Sequence, residues 1–315
     1  MVQIYKIIEG KLTTIPALES GCWVNIYPPT SHDAIRALSN ELDIDIDYFT
    51  DALDIDEQSR YDTDDETEFI LLKTPIRNEN LIDSKAIFIT IPISIVRKNG
   101  IIITTSLYKN PVIDSFLNPN IKQFDLKDHT KFILNINEKN VYYYLYYLKQ
   151  INIQINAFEK EMLHASRNKD FADLLNIQKS LIYFVTNLRA NDLMIMKMKR
   201  MDYLKIRNDE QMEEILEEIM IDNSQAVEMS DVYTRILNST MEAVSSIISN
   251  NVNTVMKRLT GVTIVLMVPN LISSFFGMNV HMPFAESHWG FLIICNISLM
   301  FSMIITYFLI KNKWM

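Results

Sequence analysis

Apolar residues follow one pattern in the first 135 or so residues of the chain. Short runs there are rich in β-branched and aromatic residues, which predicts strands over 68–73, 86–96 and 100–106. Asn99-Gly100 lies between the last two runs and predicts a tight hairpin turn. A short helix is predicted over 31–42 with Ser31 as its N-cap. The pattern therefore predicts a mixed α/β domain at the start of the chain.

From residue 140 onward the apolar residues recur at helical spacing, three and four positions apart. A break is predicted near Asn208-Asp209, and a new helix from Glu213 to Phe276. At 1.5 Å per residue that helix is about 96 Å long, which suits a stalk better than one globular domain. Its first part carries a heptad-like stripe with a polar residue in it: Ile215, Ile219, Asp222, Ala226, Met229, Tyr233 and Ile236.

Two C-terminal segments contain no charged residue, one of 18 residues over 259–276 and one of 22 over 289–310. Each is long enough to cross, or nearly cross, a hydrocarbon core of roughly 30 Å. Basic residues flank the pair on its outer sides, whereas the connection 277–288 has no Lys or Arg. The positive-inside rule therefore predicts a multi-pass protein of the cell membrane with both termini in the cytoplasm.

Charge and composition narrow the class of protein. The 315 residues carry a formal net charge of −9, which argues against nucleic acid as the main partner. Two cysteines, Cys22 and Cys295, do not make a disulfide framework. The sequence has no P-loop, glycine-rich nucleotide motif, His-Glu-x-x-His or Cys-x-x-Cys, so an enzyme is not expected.

Acidic residues are concentrated in two segments. Residues 41–68 hold thirteen Asp or Glu and one base, Arg60, and residues 209–228 hold eight acids and no base. Solvated surface charge is one interpretation. The other is binding of divalent cations, because hard cations prefer oxygen ligands.

The first uncharged segment ends in the tripeptide Gly277-Met278-Asn279, which opens the short connection to the second. In this position the tripeptide resembles that of the CorA family of divalent-cation transporters. Residues 253–260 are similar to the family pattern Asn-x-x-Met-Lys-x-Leu-Thr, and the Lys-Asn-Lys-Trp-Met end resembles the family's basic tail. Residues 51–72 resemble the family's acidic helix and following strand more loosely.

The resemblance implies an α+β cytoplasmic domain, long stalk helices and two C-terminal transmembrane helices, assembled as a homopentameric funnel. It implies Mg²⁺ as the main substrate and as regulatory ion, with Co²⁺ and Ni²⁺ as others. By position, Gly277, Met278 and Asn279 form the selectivity filter. Asn253, Leu259 and Met267 face the pore, and a regulatory Mg²⁺ site is assigned to Glu218 and Asp222.

The chemistry of the residues agrees with this assignment. Mg²⁺ gives up its waters reluctantly, so neutral carbonyl and amide oxygens such as that of Asn279 suit a filter for the hydrated ion. Leu259 and Met267 are suited to an apolar constriction that closes by dewetting. Pro269 is expected to kink the helix and to turn freed carbonyls or the Asn270 amide toward the pore.

The outer loop departs from the family. Phe284 follows Met-Pro where family members often carry an acid, which leaves Glu286 as the loop's one acid beside His281 and His288. Imidazoles admit softer ions, so a Zn²⁺ or Ni²⁺ transporter of the ZntB-like branch is an alternative. A membrane-anchored cation sensor is another, although the Thr, Asn and Ser content of the first span suits a pore better.

The chain is therefore expected to consist of seven segments: α/β domain 1–138, helical hairpin 139–208, stalk helix 209–258, pore-lining helix 259–276, outer loop 277–288, second transmembrane helix 289–310 and basic tail 311–315. The partners expected are a second copy of the chain, membrane lipid and divalent cations.

Overall fold

The computed structural model describes residues 2–27, 32–64, 66–79, 81–117, 126, 128–162, 168–278, 288–312 and 314. The chain forms two compact units, Met1–Met241 and Glu242–Met315. The first unit therefore reaches well beyond the predicted α/β boundary at residue 138, because the long helices that follow pack on the sheet.

The first unit is built on a sheet of seven strands within the described residues. They are β1 (Val2–Ile8), β2 (Lys11–Thr14), β3 (Trp23–Ile26), β4 (Arg60–Asp64), β5 (Thr67–Arg77), β6 (Phe88–Lys98) and β7 (Ile101–Ser106). Their order across the sheet is β2-β1-β3-β7-β6-β5-β4. Neighbours are antiparallel except β3 and β7, which are parallel. The three predicted strands are β5, β6 and β7, and the sequence analysis missed the other four.

The predicted hairpin turn between β6 and β7 is confirmed. Asn99 and Gly100 have φ values of 51° and 72°, so both lie in the left-handed region. Two consecutive left-handed residues match the right-handed twist of the flanking strands, and Asn-Gly is the pair that adopts them at least cost. Strands β6 and β7 are thereby held in a fixed register from Ile93 opposite Ser106 to Lys98 opposite Ile101.

Helices cover both faces of the sheet. One face packs against α1 (His32–Leu42), α2 (Asp47–Thr50) and a 3-10 turn, and the other packs against α3 (Pro111–Phe116), α4 (His129–Met162) and α5 (Asn168–Met201). Because both faces are covered, β5 and β6 are apolar along most of their length. Helix α1 confirms the helix predicted over 31–42, whereas its predicted cap Ser31 lies outside the described residues.

Helix α4 begins earlier than the sequence analysis predicted. The carboxylate of Asp128 accepts the N–H of Lys131 (3.0 Å), and its carbonyl oxygen accepts that of Phe132 (3.0 Å). This is the arrangement of an N-cap, which satisfies backbone donors that a helix start leaves open. The predicted start at 140 was therefore too late, because the cap was not recognised.

The predicted break near Asn208-Asp209 is confirmed, and α6 (Glu210–Phe276) follows it. The Asp209 carboxylate caps α6 by accepting the N–H of Met212 (3.2 Å). Helix α6 continues through Pro269 to Phe276. The last helix is α7 (Gly290–Lys311), within one residue of the predicted second span at each end.

The buried stripe on the first part of α6 differs from the predicted one. Steps of four and three connect the buried residues, apart from one step of seven between Ser230 and Leu237; these residues are Met212, Leu216, Ile219, Asn223, Ala226, Ser230, Leu237, Thr240 and Val244. Of the predicted stripe, Ile219 and Ala226 are buried, whereas Asp222 and Ile236 are exposed. The prediction was wrong because the true stripe contains Asn223, Ser230 and Thr240, which a search for apolar residues passes over.

Candidate functional site

The part of α6 in the second unit and helix α7 carry the long uncharged segments. Both helices are long and apolar enough to cross a membrane, and 6% of the apolar 18-residue stretch in each helix is buried. A soluble core helix would bury most of such a segment. These two helices are therefore candidate membrane spans, and most of their apolar side chains are exposed in the single chain.

Small residues are the ones buried where this pair is described. From residue 251 to the end, the buried residues are Gly261 on α6 and Gly290 and Ser298 on α7. Without a hydrophobic driving force between helices in lipid, close approach over small residues gives the packing energy. The other face of this part of α6 is left uncovered by the residues that the structure describes.

The four predicted pore residues lie on this uncovered face. At 100° per residue, Asn253, Leu259, Met267 and Asn270 fall within about 120° of one another on a helix. All four are exposed, with Leu259 at 59% and Met267 at 62%. One side of the helix thus presents two amides separated by two large apolar side chains, which is the pattern expected of a polar pathway with an apolar constriction.

Threonine hydroxyls on the same segment donate hydrogen bonds to backbone carbonyl oxygens of their own helix. Thr254 donates to the carbonyl oxygen of Asn250 and Thr263 to that of Leu259, each at 2.9 Å. Such bonds satisfy a hydroxyl inside a helix and keep it compatible with lipid. The side-chain amides of Asn253 and Asn270 are thus the larger polar groups of this face.

Helix α6 ends at the predicted filter tripeptide. The N–H of Gly277 donates to the carbonyl oxygen of Ser273 (3.0 Å), and that of Met278 to Phe275 (3.3 Å). A Cβ atom on residue 277 would lie 3.3 Å from the Ser273 oxygen, so the chain passes closer to its last turn than most side chains permit. Asn279, His281 and Glu286 lie outside the described residues, and His288 is exposed directly before α7.

The two residues predicted for a regulatory cation site, Glu218 and Asp222, are exposed on the first part of α6. No group of three His, Cys, Asp or Glu side chains close enough to hold a metal occurs in the described part of the chain. The neighbouring Glu217 is paired with Lys199 of α5 (2.6 Å), which lowers the pKa of that carboxyl. A single chain therefore supplies Glu218 and Asp222 with no third ligand among the residues described.

Basic residues inside the first unit neutralise part of the acidic segment 41–68. Arg60 forms ion pairs with Asp51 and Glu57. The buried ammonium of Lys73 donates to the carbonyl oxygen of Ile55, and burial lowers the pKa of Lys73 to about 8. The sequence analysis missed Lys73, although a charged residue inside an apolar strand was a visible signal.

The backbone of Lys73 is also held from the other side of the sheet. The Asn191 side chain of α5 accepts the Lys73 N–H (3.1 Å) and donates to its carbonyl oxygen (2.8 Å). Asn140 and Tyr144 of α4 donate to the same oxygen, at 3.1 Å and 3.3 Å. Lys73 therefore joins the acidic segment to both long helices, a connection that no local pattern predicts.

Fold and site together define a membrane transport protein with a large α+β domain and a C-terminal helix pair. A family model, CorA-like Mg²⁺ transporter protein, matches residues 19–311. The chain belongs to this family and is a divalent-cation transporter. The family is one of transporters and not of enzymes.

Individual relatives agree with this assignment. The cobalt/magnesium transport protein CorA of Methanocaldococcus jannaschii is 26% identical over 98% of this chain and 96% of its own length. The complete structure of the CorA magnesium transporter from the same organism superposes with a TM-score of 0.83 at 22% identity, covering 100% of this chain and 99% of the other. The same fold occurs in the cytoplasmic domain of ZntB from Vibrio parahaemolyticus, with a TM-score of 0.62, 14% identity and coverage of 79% and 98%.

Proposed function

We propose that the protein conducts Mg²⁺ into the cell down the membrane potential, through a pore formed by the second part of α6. The observation that carries this proposal is the uncovered face of that helix. It presents neutral amides and an apolar pair, and it leads to Gly277 and Met278 without any charged side chain from residue 259 onward. A pathway without fixed charge suits an ion that keeps its hydration shell.

The pore requires several copies of the chain. One α6 helix offers one face, so a closed pathway needs a ring of copies, and we propose a homopentamer as the family resemblance implies. In such a ring the Asn279 amides form a neutral oxygen filter at the outer mouth, and Leu259 and Met267 form the constriction. Both termini lie in the cytoplasm in this arrangement.

Cytoplasmic Mg²⁺ is proposed to close the pore. In a ring, the exposed carboxylates of Glu218 and Asp222 are brought near neighbouring subunits, where like charges repel unless a cation lies between them. A cation bound there favours one arrangement of the ring over the other and shifts the population toward it. The third ligand that one chain lacks would come from the adjacent subunit.

A flux assay with Asn279→Ala tests the filter. The full-length protein is reconstituted in liposomes that hold a Mg²⁺-sensitive dye, and uptake is followed under an imposed inside-negative potential. Asn279→Ala should abolish Mg²⁺ uptake while the oligomer remains intact by crosslinking. Asn296→Ala is the matched control, because the Asn296 amide bonds only to Leu292 of its own helix among the described residues (2.8 Å).

The same assay separates the alternatives. Unchanged uptake in Asn279→Ala would show that the filter lies elsewhere. Uptake of Zn²⁺ or Ni²⁺ without Mg²⁺ would favour a ZntB-like transporter, for which the imidazoles of His281 and His288 are suitable ligands. Absence of flux for every ion in the wild-type protein would leave the membrane-anchored sensor.

A further inference from the structure

The connection between α5 and α6 is a built turn. Asp202 and Lys205 have φ values of 49° and 57°, a conformation that residues other than glycine adopt rarely. The Asp202 carboxylate stabilises the turn by accepting the N–H groups of Ile206 (2.9 Å) and Arg207 (3.1 Å). The start of α6 is therefore fixed by a short segment held in one conformation.

Tyr203 lies in this turn and its hydroxyl reaches the β4–β5 hairpin. The hydroxyl accepts the N–H of Phe69 (2.9 Å) and donates to the carbonyl oxygen of Asp62 (2.6 Å). Asp62 and Phe69 are cross-strand partners, so one side chain is bonded to both strands at the same rung. Burial raises the pKa of Tyr203 to about 12, which keeps the hydroxyl protonated and able to do both near neutral pH.

The rung that Tyr203 binds is itself linked to the acidic segment. The guanidinium of Arg60, which pairs with Asp51 and Glu57, lies over the Phe69 ring at 5.3 Å from its centroid. Arg60, which neutralises these two carboxylates, therefore also contacts Phe69 directly.

A second contact joins the hairpin to the same turn. Glu68 of β5 is ion-paired with Arg97 of β6, and its other oxygen lies 4.0 Å from the ammonium of Lys205. The Tyr61 ring of β4 lies 4.7 Å from the Tyr203 ring, centroid to centroid. The turn thus contacts the acidic hairpin through hydrogen bonds, charge and ring packing together.

We propose that Tyr203 is a positioning residue for gating, which ties the acidic β4–β5 hairpin to the turn from which α6 starts. This inference rests on the proposed closing by cytoplasmic Mg²⁺. Helix α6 carries Glu218 and Asp222, and the turn before it is the point at which the hairpin anchors this helix to the sheet. Without the hydroxyl that anchor is weakened, so a cation bound at Glu218 and Asp222 acts on a less firmly held helix and closes the pore less effectively.

Tyr203→Phe tests the proposal, because it keeps the ring on Tyr61 and removes only the hydroxyl. Uptake by the full-length protein in liposomes is measured against internal Mg²⁺ concentration. We expect the uptake rate at the lowest internal Mg²⁺ to stay at the wild-type value. The internal Mg²⁺ concentration that halves uptake should rise at least about fivefold, because the hydroxyl's two hydrogen bonds are lost together and one lost neutral bond alone changes an equilibrium constant by about that factor.

Tyr61→Phe is the matched control, since the Tyr61 hydroxyl makes no hydrogen bond to any of the described residues. It should leave the half-closing concentration unchanged. Equal half-closing concentrations for Tyr203→Phe and the wild type would overturn the positioning role, and so would loss of uptake or of the oligomer at all internal Mg²⁺ concentrations. A wild-type protein that internal Mg²⁺ does not close would instead contradict the proposed gating itself.

Discussion

Helix α6 has two parts, which differ in the kinds of side chain that they bury and expose. The stalk part, residues 210–241, buries a stripe of residues mostly three or four positions apart and exposes most of the acids between them. The apolar part, residues 242–276, exposes most of its large apolar residues. Ile221 in the stalk part is 66% exposed and Leu266 in the apolar part is 67% exposed. Exposure in one chain therefore does not say what surrounds a residue.

The residues on either side in the sequence indicate which solvent surrounds each of these two exposed side chains. Ile221 stands among carboxylates, and an isolated exposed apolar residue on a water-facing helix needs no explanation. Leu266 lies near the middle of 18 residues without a charge, where lipid is the surrounding solvent. Helix α6 is therefore one continuous helix whose first part is expected to be in water and whose later, uncharged part is expected to be in lipid.

The largest expected effect comes from placing a charge in each part. Leu266→Arg should strongly reduce the fraction of protein inserted in the membrane, because an arginine at the centre of a span costs about 2.5–3.5 kcal/mol on insertion scales. Ile221→Arg should insert as the wild type does, since its side chain is expected to be in water. Carbonate extraction of membranes from cells expressing each full-length variant measures the inserted fraction.

Equal insertion of the two arginine variants would contradict the assignment of the two parts to different solvents, because it would mean that Leu266 also meets water. Normal insertion of Ile221→Arg with loss of the oligomer would have another meaning. That result would assign Ile221 to a contact between copies of the chain. The oligomeric state of both variants in detergent is therefore measured together with insertion.

A smaller effect is expected from truncating one leucine in each part. Leu237 is fully buried on the stalk stripe, and Leu271 is 59% exposed. Leu237→Ala should lower the free energy of unfolding by about 2–5 kcal/mol, the cost of a buried leucine and its cavity. Leu271→Ala should cost well under that, since truncating an exposed side chain leaves no cavity in a packed core.

Thermal unfolding of the full-length variants in one detergent checks this pair. The midpoint should fall clearly for Leu237→Ala and little for Leu271→Ala. A large fall for Leu271→Ala would show that this residue packs against another copy of the chain. In that case the uncovered face of the apolar part is more extensively covered in the assembly than in the chain alone.

Sequence reasoning succeeded where one local property decides the structure. The Asn99-Gly100 turn follows from backbone sterics, and the spans follow from the length of uncharged runs. It missed strands β1 to β4, although β1 pairs with β2 and β4 with β5 in local hairpins. Strands β2 and β3 have four residues each and β4 is rich in acids, so their local signals are weak, and β3 also pairs with β7 about 80 positions away. The prediction of the buried stripe on the stalk part was wrong for a related reason, because Asn223 and Ser230 are polar residues whose burial cannot be read from hydropathy.

The candidate site divides in the same way. The four predicted pore positions lie within one helix, so spacing alone brings them to one face, and the filter tripeptide directly follows that helix in the sequence. Tyr203 bonds to a strand 134 positions away, and Lys73 is held by Asn191 from 118 positions away. Contacts of that separation depend on the packed fold, and no period or motif in the sequence contains them.

The smallest expected effect concerns Lys73, which is the charged residue buried in the described part of the first unit. Burial lowers the pKa of Lys73 from 10.5 to about 8, against the opposing influence of Asp54 and Asp56. The folded protein therefore loses this proton at lower pH than the unfolded chain does. Between about pH 8 and pH 10 the unfolded chain binds more protons, so stability from this group rises with pH.

Lys73→Met should remove that rise, and the variant should gain most over the wild type below pH 8, where the burial penalty of the charge is complete. Thermal midpoints of the full-length proteins from pH 7 to pH 10 measure the difference. Tyr203 and Tyr147, whose pKa values burial raises to about 12, act in the opposite direction above about pH 10 but are present in both proteins and cancel. The exposed Lys149→Met is the control and should follow the wild-type curve. A constant difference between Lys73→Met and the wild type across this range would mean that Lys73 keeps its charge, held by the acids around it.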